Sequence, residues 1–340
     1  MLENKTILIT GGTGSFGQKF TEMALQSYGL KKIIVFSRDE FKQHEMAKVF
    51  PEKKYPIRYF LGDIRDRYRL CRAFEGVDYV LHAAALKQVP ALEYNPTEAV
   101  KTNVVGADNI VDAAIDVGVK KVLSLSTDKA VNPINLYGAT KLVAEKLFIA
   151  ANAYGGGRVK FSVARYGNIV GSRGSVIPLF RDLKKKGVRE FSITDTRMTR
   201  FWLTLKQGVE IVLKSLEASV GGEVFVPKIP SMKIVDLARS IDPDCVFKII
   251  GIRPGEKIHE VLISEDEARN VRMYDGLYVV LPQFIENLEV QEKYKNYPSV
   301  PEGFVYRSDT NDSWITSEQL LAFVGEKEDE DYSLLSSTLN

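Results

Sequence analysis

The stretch Thr6-Ile7-Leu8-Ile9-Thr10-Gly11-Gly12-Thr13-Gly14-Ser15-Phe16-Gly17 decides the fold. Its short apolar run has the length and branching of a buried strand. It passes directly into glycines at 11, 14 and 17, a GxxGxxG spacing that opens a helical pattern over Ser15–Ser27. Glycine allows the tight turn and lets the backbone approach a pyrophosphate closely. The helix N-terminus then offers uncovered N–H groups and a partial positive charge. Thr13, Ser15 and Phe16 share that turn with Gly11, Gly14 and Gly17 as candidate cofactor contacts. A glycine trio means little alone; its weight comes from standing in the first strand–helix turn of a longer series.

That series continues along the chain. Lys32–Phe36, Ile57–Leu61, Asp78–Leu81, Lys121–Ser126 and Lys160–Ala164 read as strands, and Asp39–Phe50 as a helix. Helical spacing recurs at Val104, Ala107, Val111, Ala114 and Ile115, and less purely from Leu142 to Phe148. Strands alternating with helices predict an α/β fold: right-handed crossovers and a doubly wound parallel sheet covered on both faces. After Gly171 the pattern shortens. Ser192–Thr194 and Glu223–Val226 read as strands, Thr204–Ala218 as a helix, and prolines punctuate the rest. The expected organisation is a dinucleotide-binding domain over 1–170 with segments returning around 191–226, a smaller α/β substrate lobe over 171–325, and a flexible acidic tail over 326–340.

Composition narrows the classes. With 340 residues, 46 Lys plus Arg against 44 Asp plus Glu and a net charge of +2, the chain is not built around nucleic-acid phosphates or an anionic membrane. Two cysteines, Cys71 and Cys245, and three scattered histidines argue against a disulfide framework or a metal site. The N-terminal apolar run is too short for a leader, and no stretch is long enough to span a bilayer, so a cytoplasmic protein is expected. Trp202 and Trp314 read as core, and His82 as packing.

The second strand ends in Ser37-Arg38. An acidic residue there would favour NAD by bonding the ribose diol; serine and arginine favour a 2′-phosphate, so NADP is expected, with Lys42 as a further cation. Asp39 reads as the N-cap of the next helix. Asp63 either accepts from the adenine amine, with Ile64 on the ring, or caps the following helix.

The fifth strand ends in Thr127-Asp128-Lys129, and Tyr137-Gly138-Ala139-Thr140-Lys141 follows. Tyr137 and Lys141, four apart on a helix, share a face. The lysine charge is expected to lower the phenol pKa, so that a phenolate takes a proton from an alcohol as a hydride leaves.

These segments carry a family resemblance. With His82–Pro90, Arg165–Asn168, Gly171–Ser175, Thr196–Phe201 and Arg253–Lys257, they resemble the extended short-chain dehydrogenase/reductases, and within them the nucleotide-sugar 4,6-dehydratases. The likeness is greatest to the C5-inverting branch that acts on UDP-N-acetylglucosamine and opens pseudaminic acid biosynthesis. It implies oxidation at C4, elimination of water across C5–C6, and return of the hydride to C6. Lys129 would be the C5 base, a protonated Asp128 the acid at C6, and Thr127 a partner of the C4 oxygen beside Tyr137. Ala83 and Ala84 would line the cofactor, with Lys87 between cofactor and sugar. Asn168, Arg173, Gly174, Ser175, Val176, Thr194, Met198, Arg200, Arg253 and Glu256 would meet sugar and nucleotide. A homo-oligomer, dimer or hexamer, formed through the long helices of the first lobe is also implied. Two other functions stay open: a nucleotide-sugar 4-epimerase or ketoreductase using only Tyr137 and Lys141, and a non-catalytic NADP-binding sensor. Asp128-Lys129 would be idle in the first.

Overall fold

A computed structural model describes residues 2–171, 176–284 and 287–325, and the chain divides into two compact units. The first holds residues 1–166, 209–228 and 262–305. Its strands Thr6–Thr10 (β1), Lys32–Ser37 (β2), Ile57–Leu61 (β3), Tyr79–His82 (β4), Lys121–Thr127 (β5) and Lys160–Tyr166 (β6) lie in one nine-stranded sheet. The order runs Val271–Tyr274, Leu277–Val280, Val224–Pro227, β6, β5, β4, β1, β2, β3. Strands β1 to β6 and Val224–Pro227 pair in parallel. The last two strands, Leu277–Val280 and Val271–Tyr274, are antiparallel, an edge hairpin absent from the sequence expectation. Asp275 and Gly276 at φ 43° and 76° form its tight turn.

All five residues of β1 are buried, which is why the strand reads as a continuous apolar run. Thr10 pairs with Phe36 on one side and His82 on the other. The strand order reverses at β1, and the carboxyl end of the strands at such a reversal is where sheets of this kind take their ligands. The helix Ser15–Ser27 buries Phe16, Phe20 and Ala24 on the sheet side. The long helix Leu136–Tyr154 buries Ala144, Phe148 and Ala151, with Lys141 and Glu145 among them.

The second unit holds residues 167–208, 229–261 and the described residues from Tyr306 on. It contains a three-stranded sheet of Ser231–Lys233, Thr199–Leu203 and Asn168–Ile169, and a parallel pair of Glu190–Ile193 with Val246–Ile249. Its core gathers Trp202, Phe180, Phe191, Leu237 and Leu320, with the Phe180 and Phe191 rings stacked at 4.7 Å.

The units differ from the expected division. The boundary falls at 166/167, residues 191–208 stay in the second unit, and 262–305 join the first, because Leu277–Val280 and Val271–Tyr274 extend the main sheet. The tail 326–340 lies outside the described residues. Trp202 is fully buried, but Trp314 is 41% exposed and is not a core residue: only its backbone bridges Ser231. Among the described residues no helix is long and apolar enough to cross a membrane.

Candidate active site

The turn after β1 is shaped by one close approach. Gly11 adopts φ +66°, and a Cβ there would lie 2.9 Å from Ala84 Cα, so only glycine lets the turn seat against the Ala83-Ala84 backbone. That backbone is held from β1: Thr10 Oγ1 accepts from Ala83 N at 3.2 Å and Ala84 N at 3.3 Å, and pairs with His82 Nδ1 at 2.9 Å. His82 is fully buried, and desolvation pushes its pKa down to about 3, so it serves as a neutral bracket. Gly14 stands at the N-cap of Ser15–Ser27 without a side-chain cap. The first-turn N–H groups of Ser15, Phe16 and Gly17 are therefore left for an outside acceptor, which fits a pyrophosphate.

At the end of β2, Ser37 Oγ pairs with Thr13 Oγ1 at 2.9 Å. Asp39 caps the following helix by accepting from Lys42 N at 3.0 Å, and its other oxygen pairs with Lys42 Nζ at 2.7 Å. Arg38 is half exposed and lies 3.7 Å from Asp63. Asp63 is gripped by Arg65, whose Nη2 and Nε lie 2.7 and 3.0 Å away, while the cap of the next helix is Asp66. Of the two roles read for Asp63, capping is thus excluded. Ile64 is buried against Gly106.

The catalytic candidates converge where β5 ends. Thr127 is its last residue, and Asp128–Ala130 turn at once into a 3₁₀ helix, so consecutive side chains escape the strand alternation that would part them. Asp128 is fully buried. Its Oδ1 accepts from Thr127 Oγ1 and from Lys129 Nζ, both at 2.9 Å. The Lys129 side chain is 26% exposed. The Leu136–Tyr154 helix starts with Asn135 Oδ1 accepting from Gly138 N at 2.8 Å. Gly138 packs so tightly on the 3₁₀ turn that a Cβ would lie 2.1 Å from Lys129 O. This contact sets Tyr137 beside Thr127, Asp128 and Lys129. The Lys141 ammonium donates to Leu125 O at 2.7 Å; burial brings its pKa down to about 8 against the upward pull of Glu145.

One electrostatic expectation is corrected. The Tyr137 phenol is raised above its ordinary value, because desolvation outweighs the downward pull of Lys129 and of a hydrogen bond with Thr127. The cation that acts on the phenol is Lys129; Lys141, fixed on the Leu125 carbonyl, is not among the charges that move it. Lys87 is held below the usual lysine range, first by burial and then by the Lys129 charge. Behind Lys141, one turn along the helix, Glu145 meets Arg165 at 2.6 Å, and Arg165 meets Glu267 at 2.8 Å.

The first unit thus gathers every predicted cofactor and catalytic residue. The remaining candidates lie in the second unit. Arg200 is buried and braced there, with Nη1 donating to Thr199 O at 2.7 Å and Ile258 O at 3.0 Å, and Nη2 to Lys257 O at 2.9 Å. Glu256 lies 3.8 Å from it, and Arg253 is exposed on the same loop. Asn168 lies on the short strand beside Trp202, Val176 opens a helix, and Thr194 follows the strand Glu190–Ile193. Met198 departs from its expected role: its side chain belongs to the hydrophobic core, and its carbonyl accepts from Ile234 N at 2.9 Å. Arg173, Gly174 and Ser175 lie outside the described residues. Sequence reasoning passed over Thr10, Gly138 and Asn103, whose amide bonds the Leu86 backbone and Thr140 Oγ1. Only Gly138 carried a signal, as a glycine inside a helical pattern. Among the described residues no group of three or more His, Cys, Asp and Glu side chains could hold a metal.

Comparison with known proteins adds a family. Residues 7–282 match the model described as polysaccharide biosynthesis protein. The chain is 50% identical over 334 residues to UDP-N-acetylglucosamine 4,6-dehydratase (inverting) of Campylobacter jejuni, covering 96% of this chain and 99% of that one. It is 46% identical over 275 residues to a protein of Rickettsia massiliae named UDP-glucose 4-epimerase, covering 78% and 80%. The X-ray structure of Pen from Bacillus thuringiensis superposes with a TM-score of 0.87 at 36% identity, covering 96% and 99%.

Proposed function

Since the chain belongs to the polysaccharide biosynthesis protein family and has the fold of an extended short-chain dehydrogenase/reductase, we propose that it is a UDP-N-acetylglucosamine 4,6-dehydratase that inverts C5. The observation that carries this reading is the hydrogen-bonded pair of fully buried Asp128 and partly buried Lys129 on the turn beside Tyr137. An epimerase needs a base for one hydroxyl and nothing more. A carboxyl and an amine in hydrogen-bond contact supply the second acid–base couple that elimination demands.

The bound dinucleotide supplies hydride removal from C4 and its return to C6. With Tyr137 held as phenolate by the Lys129 charge and by the positive nicotinamide of a bound dinucleotide, it would accept the C4 hydroxyl proton as the ketone forms, with Thr127 bonding the C4 oxygen. The ketone acidifies the C5 hydrogen. Neutral Lys129 takes that proton, and protonated Asp128 gives one to the departing C6 hydroxyl, which leaves as water. One proton shift along the 2.9 Å Lys129–Asp128 bond converts the resting ion pair into that neutral amine and carboxylic acid. Exclusion of water by the sugar favours the uncharged pair. A proton delivered to the opposite face of C5 completes the inversion.

NADP is the cofactor of this reading. Asp39 is committed to its helix cap and to Lys42, so no carboxylate is free at the strand end to claim the ribose diol, while Ser37, Arg38 and Lys42 suit a 2′-phosphate. The nucleotide falls to Arg200, Arg253 and Glu256, and the sugar and diphosphate to Asn168 and residues 173–176. The product is the 4-keto-6-deoxy sugar from which pseudaminic acid is made, in the cytoplasm. Exposed Val100, Val105 and Val143 on the helices of the first unit support a homo-oligomer. Incubation with UDP-N-acetylglucosamine and, separately, UDP-glucose is the test. A 4-keto-6-deoxy product supports the reading; a C4 epimer as sole product replaces it with the epimerase.

A further inference from the structure

Residues 253–260 carry Arg253 and Glu256 and have no regular secondary structure, so their backbone groups must find partners outside the loop. They find them within the second unit, along Thr199 and Ser308. Ile258 O accepts from Thr199 N at 3.1 Å, Glu260 N donates to Ser308 Oγ at 2.9 Å, and Ser308 N donates to Glu260 O at 2.9 Å. His259 stands between these contacts. Its Nδ1 lies 2.9 Å from Thr199 Oγ1, which lies 2.6 Å from Ser308 Oγ, and its Nε2 lies 3.6 Å from Asp309. Each proton in this row has one place. Asp309 is paired with Arg307 at 2.5 and 2.8 Å, so His259 Nε2 keeps its hydrogen toward a carboxylate and Nδ1 is the acceptor. Burial holds the His259 pKa below the ordinary histidine value, and Arg307, Arg200 and Arg197 add to it against the pull of Asp309, so the ring is neutral at pH 7. Thr199 Oγ1 therefore donates to His259, and Ser308 Oγ, which accepts from Glu260 N, donates to Thr199.

What this row holds in place is the seat of Arg200. Three guanidinium N–H groups of Arg200 go to carbonyls, those of Thr199, Ile258 and Lys257. Two of these carbonyls belong to the residues directly before His259. The other two donors face Glu260 at 3.6 Å and Glu256 at 3.8 Å, longer than a hydrogen bond, and so remain for the oxygens of a ligand. A guanidinium serves a nucleotide only in the right plane, because its fork must meet fixed oxygens. We propose that His259 is a positioning residue for nucleotide binding: by accepting the Thr199 hydroxyl it pins residues 257–260 onto the strand Thr199–Leu203 and so fixes the plane of Arg200. The effect on binding rests on the assignment of the nucleotide to Arg200, Arg253 and Glu256; the pinning of the loop does not.

Two substitutions test it. His259→Leu removes the acceptor at similar size, and His259→Asn restores one, since its Oδ1 stands where Nδ1 stood. UDP is the probe, titrated by calorimetry into the full chain with NADP present. His259→Leu should weaken UDP about 10-fold, the lower range for a misplaced charge-assisted hydrogen bond, and His259→Asn should bind it as wild type does. With UDP-N-acetylglucosamine, KM should rise by the same factor in His259→Leu while kcat stays unchanged. Amide hydrogen exchange without ligand should quicken across 257–260 in His259→Leu and return to the wild-type rate in His259→Asn. If His259→Leu does not fold, Thr199→Val removes the same hydrogen bond from the other side and is read in the same way. Wild-type UDP affinity in His259→Leu, equal losses in both variants, or a loss confined to kcat overturns the proposal. A wild-type chain that binds no UDP defeats the nucleotide assignment alone; the exchange rates then decide the pinning, and wild-type rates in His259→Leu overturn it.

Discussion

Replacing Gly138 with alanine would place a methyl group 2.1 Å from Lys129 O and 2.9 Å from Lys129 C. Real Cβ contacts stay beyond 3.0 Å, so the helix and the 3₁₀ turn must part by about 1 Å. Both partners are backbone, and no rotamer change relieves the clash. The helix cannot slide freely either, because Gly138 N is the donor to its Asn135 cap. Overpacking of this kind costs about 1–3 kcal/mol of stability. The larger effect is on rate: Asp128 and Lys129 ride on one side of the contact and Tyr137 on the other, and a misplacement near 1 Å costs about 100-fold in kcat. NADP affinity should change little, since the glycine turn is not touched. Product formation by proton NMR, thermal melting by circular dichroism and dinucleotide titration read the three effects separately. A Gly138→Ala enzyme with wild-type kcat would refute the claim that this approach sets the catalytic geometry.

Lys129→Met should abolish elimination but leave C4 oxidation, so near-ultraviolet absorbance of reduced nicotinamide should build up on mixing with substrate; full dehydration by this variant would remove Lys129 as the base. Arg38→Ala should weaken NADP about 10–100-fold, the worth of charge-assisted hydrogen bonds, and NAD hardly at all, as judged by titration calorimetry. His82 binds its proton less readily folded than unfolded, so the stability it permits is complete above about 6.5 and is lost as pH falls toward about 3. Denaturant unfolding across that window should show His82→Gln to be less acid-sensitive than wild type.

How much of this could be read from the sequence depends on how local the cause was. β1 and the helix Ser15–Ser27 were legible residue by residue, because a two-faced buried strand and a glycine-opened helix write themselves into adjacent positions; the edge strand β3, only partly buried, was read to the same bounds. The Asp275-Gly276 hairpin was equally local and was overlooked, although Asp-Gly between apolar runs is a strong turn signal. It carries the edge of the main sheet, so missing it misassigned 262–305 to the second unit. The convergence of Thr127, Asp128, Lys129 and Tyr137 was readable from Thr127-Asp128-Lys129 and the Tyr137/Lys141 spacing. The direction of the Tyr137 shift was not, because desolvation depends on what packs around a ring and not on spacing. Asn103 gave no signal, since its partners Leu86 and Thr140 are 17 and 37 residues away. Met198 looked like a ligand contact by family likeness, and its burial in the core is a fact of packing.

Turnover of UDP-N-acetylglucosamine carrying deuterium at C4 tests the central claim most directly. The account predicts the label in the C6 methyl group of the keto sugar, with the dinucleotide unchanged in amount. Deuterium recovered at C4 of a C4-epimerised sugar, or a label lost to a consumed dinucleotide, would contradict it.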